Sequence, residues 1–277
     1  AMVRSNTIFT NVALTPAGEP WWEGIGSEPP AGLLDWQGKP WQPGGPPAAH
    51  PNSRFTVPAS QCPSISPRWQ DPEGVPISGF IFGSRRSRVV PLIFEAFDWQ
   101  HGVYLGSSMG TETTAAITGK IGVVRRDPMA MLPFCGYNMA DYFAYWLDTG
   151  KRLATPPKIF RVNWFRRDAD GQFLWPGYRE NVRILKWIVE RINGTGKAVE
   201  SPIGMVPTPD ALDLDGLDIS RSAVEAVLSP ERDGWLQGLD EQRTFFEPFG
   251  ERLPAPIWEE HERMTRRLTA AGPPSRR

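Results

Sequence analysis

The sequence holds only two cysteines, Cys62 and Cys135, too few to frame a chain of this size with disulfides and without the paired spacing of a metal site. That poverty fits a reducing compartment, and the cytoplasm is the expected location. Its three histidines, His50, His101 and His261, stand far apart with no H-x-x-x-H or C-x-x-C neighbour, so no self-contained zinc centre is expected. An excess of one charge is missing too: 30 Lys+Arg face 31 Asp+Glu in 277 residues, which leaves no global field to hold nucleic acid or an anionic membrane. Any anion site must therefore be local. No window reaches about 18 uninterrupted apolar residues, and the first ten residues carry neither a basic start with an apolar run nor an Arg-rich amphipathic pattern, so neither a membrane span nor a secretion signal is expected. The phosphate-loop signature G-x-x-x-x-G-K-[ST] is absent, since Gly119-Lys120 continues with Ile121 and Gly196-Lys197 with Ala198, and no serine nucleophile elbow occurs.

What is present is turn-forming and aromatic. Glycine (27) and proline (29) exceed their ordinary share, so loops occupy much of the chain, and twelve tryptophans supply either an aromatic core or stacking platforms for a flat ligand. Residues 16–48 are too dense in both turn formers for a long helix or a central strand. Trp21, Trp22, Trp36 and Trp41 interleave them, which argues for an ordered arm rather than a disordered linker. From Gly79 onward Phe80–Phe82, Leu92–Phe97, Val103–Leu105 and Lys158–Phe165 read as strands of a buried sheet. Asn138 opens a helix whose apolar residues Met139, Tyr142, Phe143, Trp146 and Leu147 recur at helical spacing until Gly150 stops it. Leu185, Ile188, Val189 and Ile192 mark a second helix ending at Asn193-Gly194, and the final one runs near 256–271 with Ile257, Met264 and Leu268 on one side. The expected fold is α/β, a mixed sheet with flanking helices and long Pro/Gly-rich loops, organised as an arm (1–78), a mixed α/β core (79–208) and a peripheral helical segment (209–277).

Two arginine sites lie in turns. Asn52-Ser53-Arg54 follows the arm, and Arg85-Arg86 with Arg88 follows Gly83-Ser84, where a guanidinium fork could clamp phosphate or carboxylate; a solvated basic turn is the plain alternative. Arg125-Arg126 and Arg166-Arg167 read as ordinary surface or structural arginines, and His101 as a hydrogen-bonding histidine rather than a base. Gly106–Gly122 carries little apolar bulk and could be a lid or a plain loop. The aromatic run Trp164-Phe165, the turn at Asp170-Gly171 and Phe173–Tyr178 with Asn181 beyond could form a slot for a planar base, with an ordinary aromatic hairpin core as the alternative.

The strings Asn52-Ser-Arg-Phe-Thr-Val-Pro-Ala-Ser-Gln-Cys-Pro63, Phe82-Gly-Ser-Arg-Arg86, Phe94-Glu-Ala-Phe-Asp-Trp-Gln-His-Gly102, Asp127-Pro-Met-Ala-Met131, Pro133-Phe-Cys-Gly-Tyr-Asn138, Val162-Asn-Trp-Phe-Arg166 and Phe173-Leu-Trp-Pro-Gly177, in this order, resemble GTP-dependent phosphoenolpyruvate carboxykinase. The resemblance corresponds to about the C-terminal half of that enzyme and looks bacterial in detail. It implies reversible decarboxylation of oxaloacetate to an enolate, with the γ-phosphoryl of GTP passing to the enolate oxygen to give phosphoenolpyruvate, carbon dioxide and GDP. Carried over by motif, Asn52 and Arg54 would face the substrate and the transferred phosphoryl, Arg85 the nucleotide phosphates, and 109–122 would be an Ω-loop lid. Phe165, Phe173 and Tyr178 would pack on guanine with Asn181 at its edge. Gly110 stands where vertebrate members carry Arg, and Tyr178 where many carry Phe.

The resemblance further implies Mn2+, with its ligands outside this chain, and Mg2+ travelling with GTP or GDP. The phosphate loop and reactive cysteine of that family match nothing here, so the chain alone is expected to be inactive without the N-terminal half. Oxaloacetate or phosphoenolpyruvate and the nucleotide are the expected partners, with no nucleic acid, no membrane and a monomeric parent enzyme. A non-catalytic carbohydrate-binding or nucleotide-binding module, suggested by the Trp-rich loops, is the rival reading.

Overall fold

A computed structural model of the chain describes residues 3, 5–114 and 121–272. It divides into two compact units, one of residues 1–76 with 113–121 and one of 77–112 with 122–277.

In the first unit, β1 (Ile8–Thr10), β2 (Ala13–Leu14), β3 (Pro20–Trp21) and β4 (Arg54–Thr56) are short pieces between turns. β1 pairs antiparallel with β4, placing Thr10 opposite Arg54, and β2 pairs with β3. Little regular structure is possible where proline removes donors and glycine takes positive φ, as at Gly18, Gly26, Gly32, Gly38 and Gly44. Order comes from aromatic burial instead: Trp21 and Leu33 pack with Ala13 and Ala48, Trp41 leans on them, and the Trp41 Nε1–H donates to the Pro46 carbonyl at 2.7 Å.

The second unit opens with β5 (Gly79–Gly83), β6 (Ile93–Glu95), α1 (Trp99–Ser107), β7 (Gly110–Glu112), β8 (Val124–Arg126), α2 (Met139–Arg152) and β9 (Lys158–Val162). It continues with α3 (Asn181–Ile192), β10 (Val199–Ser201), β11 (Gly204–Val206), α4 (Arg221–Leu228), α5 (Arg232–Phe246) and α6 (Ala255–Ala270). The main sheet is mixed, in the order β10-β11-β6-β9-β5, with β5 and β9 parallel and the other pairs antiparallel. Successive strand residues face opposite ways, so Phe94 and Ile159 join one apolar cluster with α1, α2, α5 and α6, while Ile93 and Phe160 join another with α3 and α4. The sheet is thus covered by helices on both faces, the mixed α/β architecture expected.

Three local expectations are corrected. Val103–Leu105 is helix, not strand: every residue from His101 to Ser107 is buried, so α1 shows no polar face and its apolar run mimics a strand. The signal that marks it is Asp98, whose carboxylate caps the helix by accepting the His101 N–H at 2.8 Å. Gly150 does not stop α2, which continues to Arg152; the Trp99 indole lies directly where a Gly150 Cβ would be, so that glycine serves close packing between α1 and α2. The strand from Lys158 ends at Val162, because Asn163 turns its fully buried amide to the neighbouring loop. The capping residue Asn138 and the Asn193-Gly194 stop are as expected, with Gly194 at φ +75°. On α3 the buried face is Ile184, Trp187 and Ile188, whereas Leu185 and Val189 are exposed.

His101 is structural. Its Nδ1 accepts the Phe97 N–H at 3.1 Å, and burial, reinforced by the positive charge of Arg267, pushes its pKa down to about 3 from the ordinary 6.5. The folded protein therefore holds this ring neutral where the unfolded chain would protonate it. Its contribution is complete above about pH 6.5 and is lost as the pH falls toward 3, on the order of 2 kcal/mol by pH 5. Urea unfolding of the parent and of His101→Gln between pH 7 and pH 5 should show the parent losing more stability; equal losses would remove His101 from the acid response.

Candidate functional site

β5 runs into the arginine turn, and backbone groups pin each step of it. The Ser84 N–H donates to the Val162 carbonyl at 3.2 Å, and the Arg85 N–H to Thr111 Oγ1 at 3.1 Å. The Arg86 N–H donates to Asn163 Oδ1 at 3.1 Å, while Asn163 Nδ2 returns hydrogen bonds to the Arg86 and Val90 carbonyls, both at 2.8 Å. Glu112 Oε1 accepts from the Ser87 N–H at 2.7 Å and its hydroxyl at 2.8 Å. A turn held at so many points presents its side chains in one arrangement.

Arg85 is set against the aromatic hairpin. Its guanidinium carbon lies 5.6 Å from the Phe165 ring centroid, and its Nε is buried without a hydrogen-bond partner. The hairpin forms as expected around Asp168–Gly171, with the Leu174 N–H on the Arg166 carbonyl at 2.9 Å. It brings Phe165 and Phe173 edge to face, their centroids 6.2 Å apart at 68°. Arg167 lies over Phe173 at 4.0 Å from the ring centre, a placement its ordinary-looking pair with Arg166 did not announce. Arg166 itself is structural, donating to Glu231 at 2.8 Å.

Asn181 is the first residue of α3. Its Oδ1 accepts the indole N–H of the buried Trp175 at 2.9 Å, so the amide has its Nδ2 left to donate. The turn before it contains Gly177 at φ +86° and Arg179 at φ +82°. Tyr178, expected beside the other rings, is 94% exposed and stands apart from the Phe165–Phe173 pair.

Asn52 and Arg54 belong to the other unit. Asn52 closes a turn through its N–H to His50 Nδ1 at 2.9 Å, and Arg54, on β4, is exposed with Nη1 donating to the Ser53 carbonyl at 3.0 Å. Of the expected lid, β7 and β8 form an antiparallel base in which Gly110 pairs with Arg126. Residues 115–120 of that lid lie outside the described residues.

The C-terminal P-loop domain of phosphoenolpyruvate carboxykinase is the family whose model matches residues 1–267. This chain belongs to that family. A phosphoenolpyruvate carboxykinase [GTP] of Anaeromyxobacter dehalogenans strain 2CP-C is 56% identical over 270 residues, covering 97% of this chain and 45% of the relative. One from Chlamydia caviae is 53% identical over the same span. The chain therefore spans less than half the length of these curated relatives. Among the described residues no group of three or more His, Cys, Asp or Glu is placed to hold a metal ion. Among the described residues no helix is long and apolar enough to cross a membrane.

Proposed function

We propose that this chain supplies the guanine slot, the lid and the arginine clamps of a GTP-dependent phosphoenolpyruvate carboxykinase, acting on oxaloacetate and GTP. The observation that carries the reading is the continuous set Arg85, Phe165, Phe173 and Arg167, in which cationic groups flank two rings in edge contact. A purine stacks on such rings while the guanidinium beside them meets its phosphates. Arg54 and Asn52 approach the oxaloacetate and the transferred phosphoryl in this reading, and the arginines stabilise charge spread over the equatorial oxygens. A closed lid over 109–122 keeps water from protonating the enolate to pyruvate before phosphoryl transfer. Mn2+ from residues outside this chain and Mg2+ carried by the nucleotide complete the chemistry, as does the N-terminal half; the chain alone binds nucleotide without turnover, in the cytoplasm.

Base choice follows from Asn181. Because Trp175 occupies Oδ1, the amide offers a donor, which suits the O6 acceptor of guanine and opposes the N6 donor of adenine. Titration of the chain with GDP and ADP, read by tryptophan fluorescence, should show GDP binding the tighter. Asn181→Asp keeps an acceptor for Trp175 but loses the donor, and the GDP preference should fall roughly 10-fold or more, within the about 1–3 kcal/mol of a base-edge contact. Equal affinity for GDP and ADP in the parent would overturn the slot, and saturation by a glycan with indifference to GDP would favour the carbohydrate module. Restoration of oxaloacetate-dependent GTP consumption on adding the N-terminal half of a relative tests the catalytic part.

A further inference from the structure

The second unit contains a concentration of positive charge that the nucleotide reading does not use. β9 alternates its side chains across the sheet, and on the face where Ile159 packs against α1 the next equivalent position is Arg161. Arg161 is 2% exposed, its Nε has no hydrogen-bond partner, and among the described residues no carboxylate lies within ion-pairing distance of it. Its guanidinium rests 5.7 Å from the Trp235 ring centre.

Two further arginines face the same small cavity of about 20 Å3, Arg86 from the turn and Arg126 from β8. Arg126 is well partnered, to Glu241 at 2.7 Å and to the Ser108 and Gly238 carbonyls, yet Glu241 is half exposed. Arg86 meets Glu112 at 4.0 Å, at an oxygen already taken by Ser87, feels Glu241 from further off, and has a buried Nε that is also unpartnered. Three guanidinium groups therefore face two carboxylates, Glu241 at 2.7 Å and Glu112 at 4.0 Å, which leaves one positive charge in excess. Their mutual repulsion adds to burial in lowering the pKa of Arg161 to about 9. Gln242 lines the cavity too, and since its Oε1 accepts the Tyr104 hydroxyl at 2.6 Å, its amide hydrogens are what it has to offer. The charged side chains that line the space are all cations, and the Ser108 and Gly238 carbonyls beside them already accept from Arg126.

We propose that the cavity framed by Arg86, Arg126 and Arg161 binds a small monovalent anion of halide size, chloride in ordinary buffers. A space of about 20 Å3 exceeds the roughly 10–15 Å3 that one water needs, so a single small ion fits it. A water there would accept hydrogen bonds but leave the charge uncompensated, whereas an anion satisfies both the unpartnered Nε groups and the excess charge. The bound ion ties β9, β8 and the arginine turn to α5, which contributes Trp235 and Gln242. This inference is independent of the nucleotide assignment.

The chain is unfolded thermally, without nucleotide, in sodium chloride, sodium bromide or sodium gluconate at matched ionic strength. The expected midpoint rises saturably with either halide and not with gluconate, as required when a ligand binds only the folded state. Arg161→Met fills the position without charge and should abolish the halide dependence. Crystals of the parent grown in bromide should show an anomalous peak between the three guanidinium groups, a readout that needs no variant. Equal midpoints in halide and gluconate, halide dependence surviving in Arg161→Met, or a cavity holding only water in the bromide crystals would each overturn the proposal.

Discussion

Alanine at Gly204 should lower stability by about 3 kcal/mol or more, a fall in the unfolding midpoint of roughly 6–12 °C for a domain of this size. Gly204 sits at φ +143°, outside the left-handed basin that side chains can visit, and a Cβ there would lie 2.5 Å from the Glu95 carbonyl oxygen. The obstacle is backbone, held in the β11–β6 pairing where Met205 faces Glu95, so no rotamer change can relieve it. Forcing the strands apart also disturbs the buried Glu95 carboxylate, which accepts from Lys158 at 2.6 Å and from Arg191. Gly38→Ala is the matched control, because Gly38 has φ +79° with open space around it and should cost only the about 1–2 kcal/mol of a left-handed residue. Urea unfolding of both variants decides the matter: equal losses would mean that close approach to β6 does not dictate the glycine.

Removing both rings of the proposed slot, Phe165→Ala with Phe173→Ala, should weaken GDP binding roughly 5- to 150-fold, the range that about 1–3 kcal/mol of base stacking implies. The loss should be similar for GTP, since the arginines that meet the phosphates remain. Phe173 is half exposed, so the double change should leave the fold intact, which circular dichroism and the unfolding midpoint would verify. Phe165→Leu with Phe173→Leu retains apolar bulk without the ring faces and should recover only part of the affinity. Isothermal titration showing unchanged GDP affinity in the alanine variant would place the base elsewhere.

The parts of this molecule that were legible early are those with local causes. A helix that begins at Asn138 or ends at Asn193-Gly194 advertises itself through the side chain that caps it or the glycine that can take positive φ. Trp-studded proline loops advertise order because aromatics need burial. By contrast α1 was hidden by its own burial: with no face left in water, its periodicity vanished and its valine, tyrosine and leucine resembled a strand. Of the candidate site, the aromatic run that holds Phe165, Phe173 and Trp175 stood out by composition, whereas Arg167 looked like an ordinary member of an arginine pair although it lies over Phe173.

The sequence by itself determined family membership, the mixed α/β class and the turn at Gly83-Ser84, because ordered motifs, apolar periodicity and turn chemistry all act over a few neighbouring residues. Only the tertiary structure decided which arginine stands over Phe173, which end of the Asn181 amide is free to donate and that Arg161 is buried among like charges. Those properties depend on groups brought together from distant points of the chain, Arg86 and Arg161 being 75 residues apart in number and neighbours around one cavity. No local pattern encodes such a meeting; the pairing of β5 with β9 and the packing of α5 against the sheet create it.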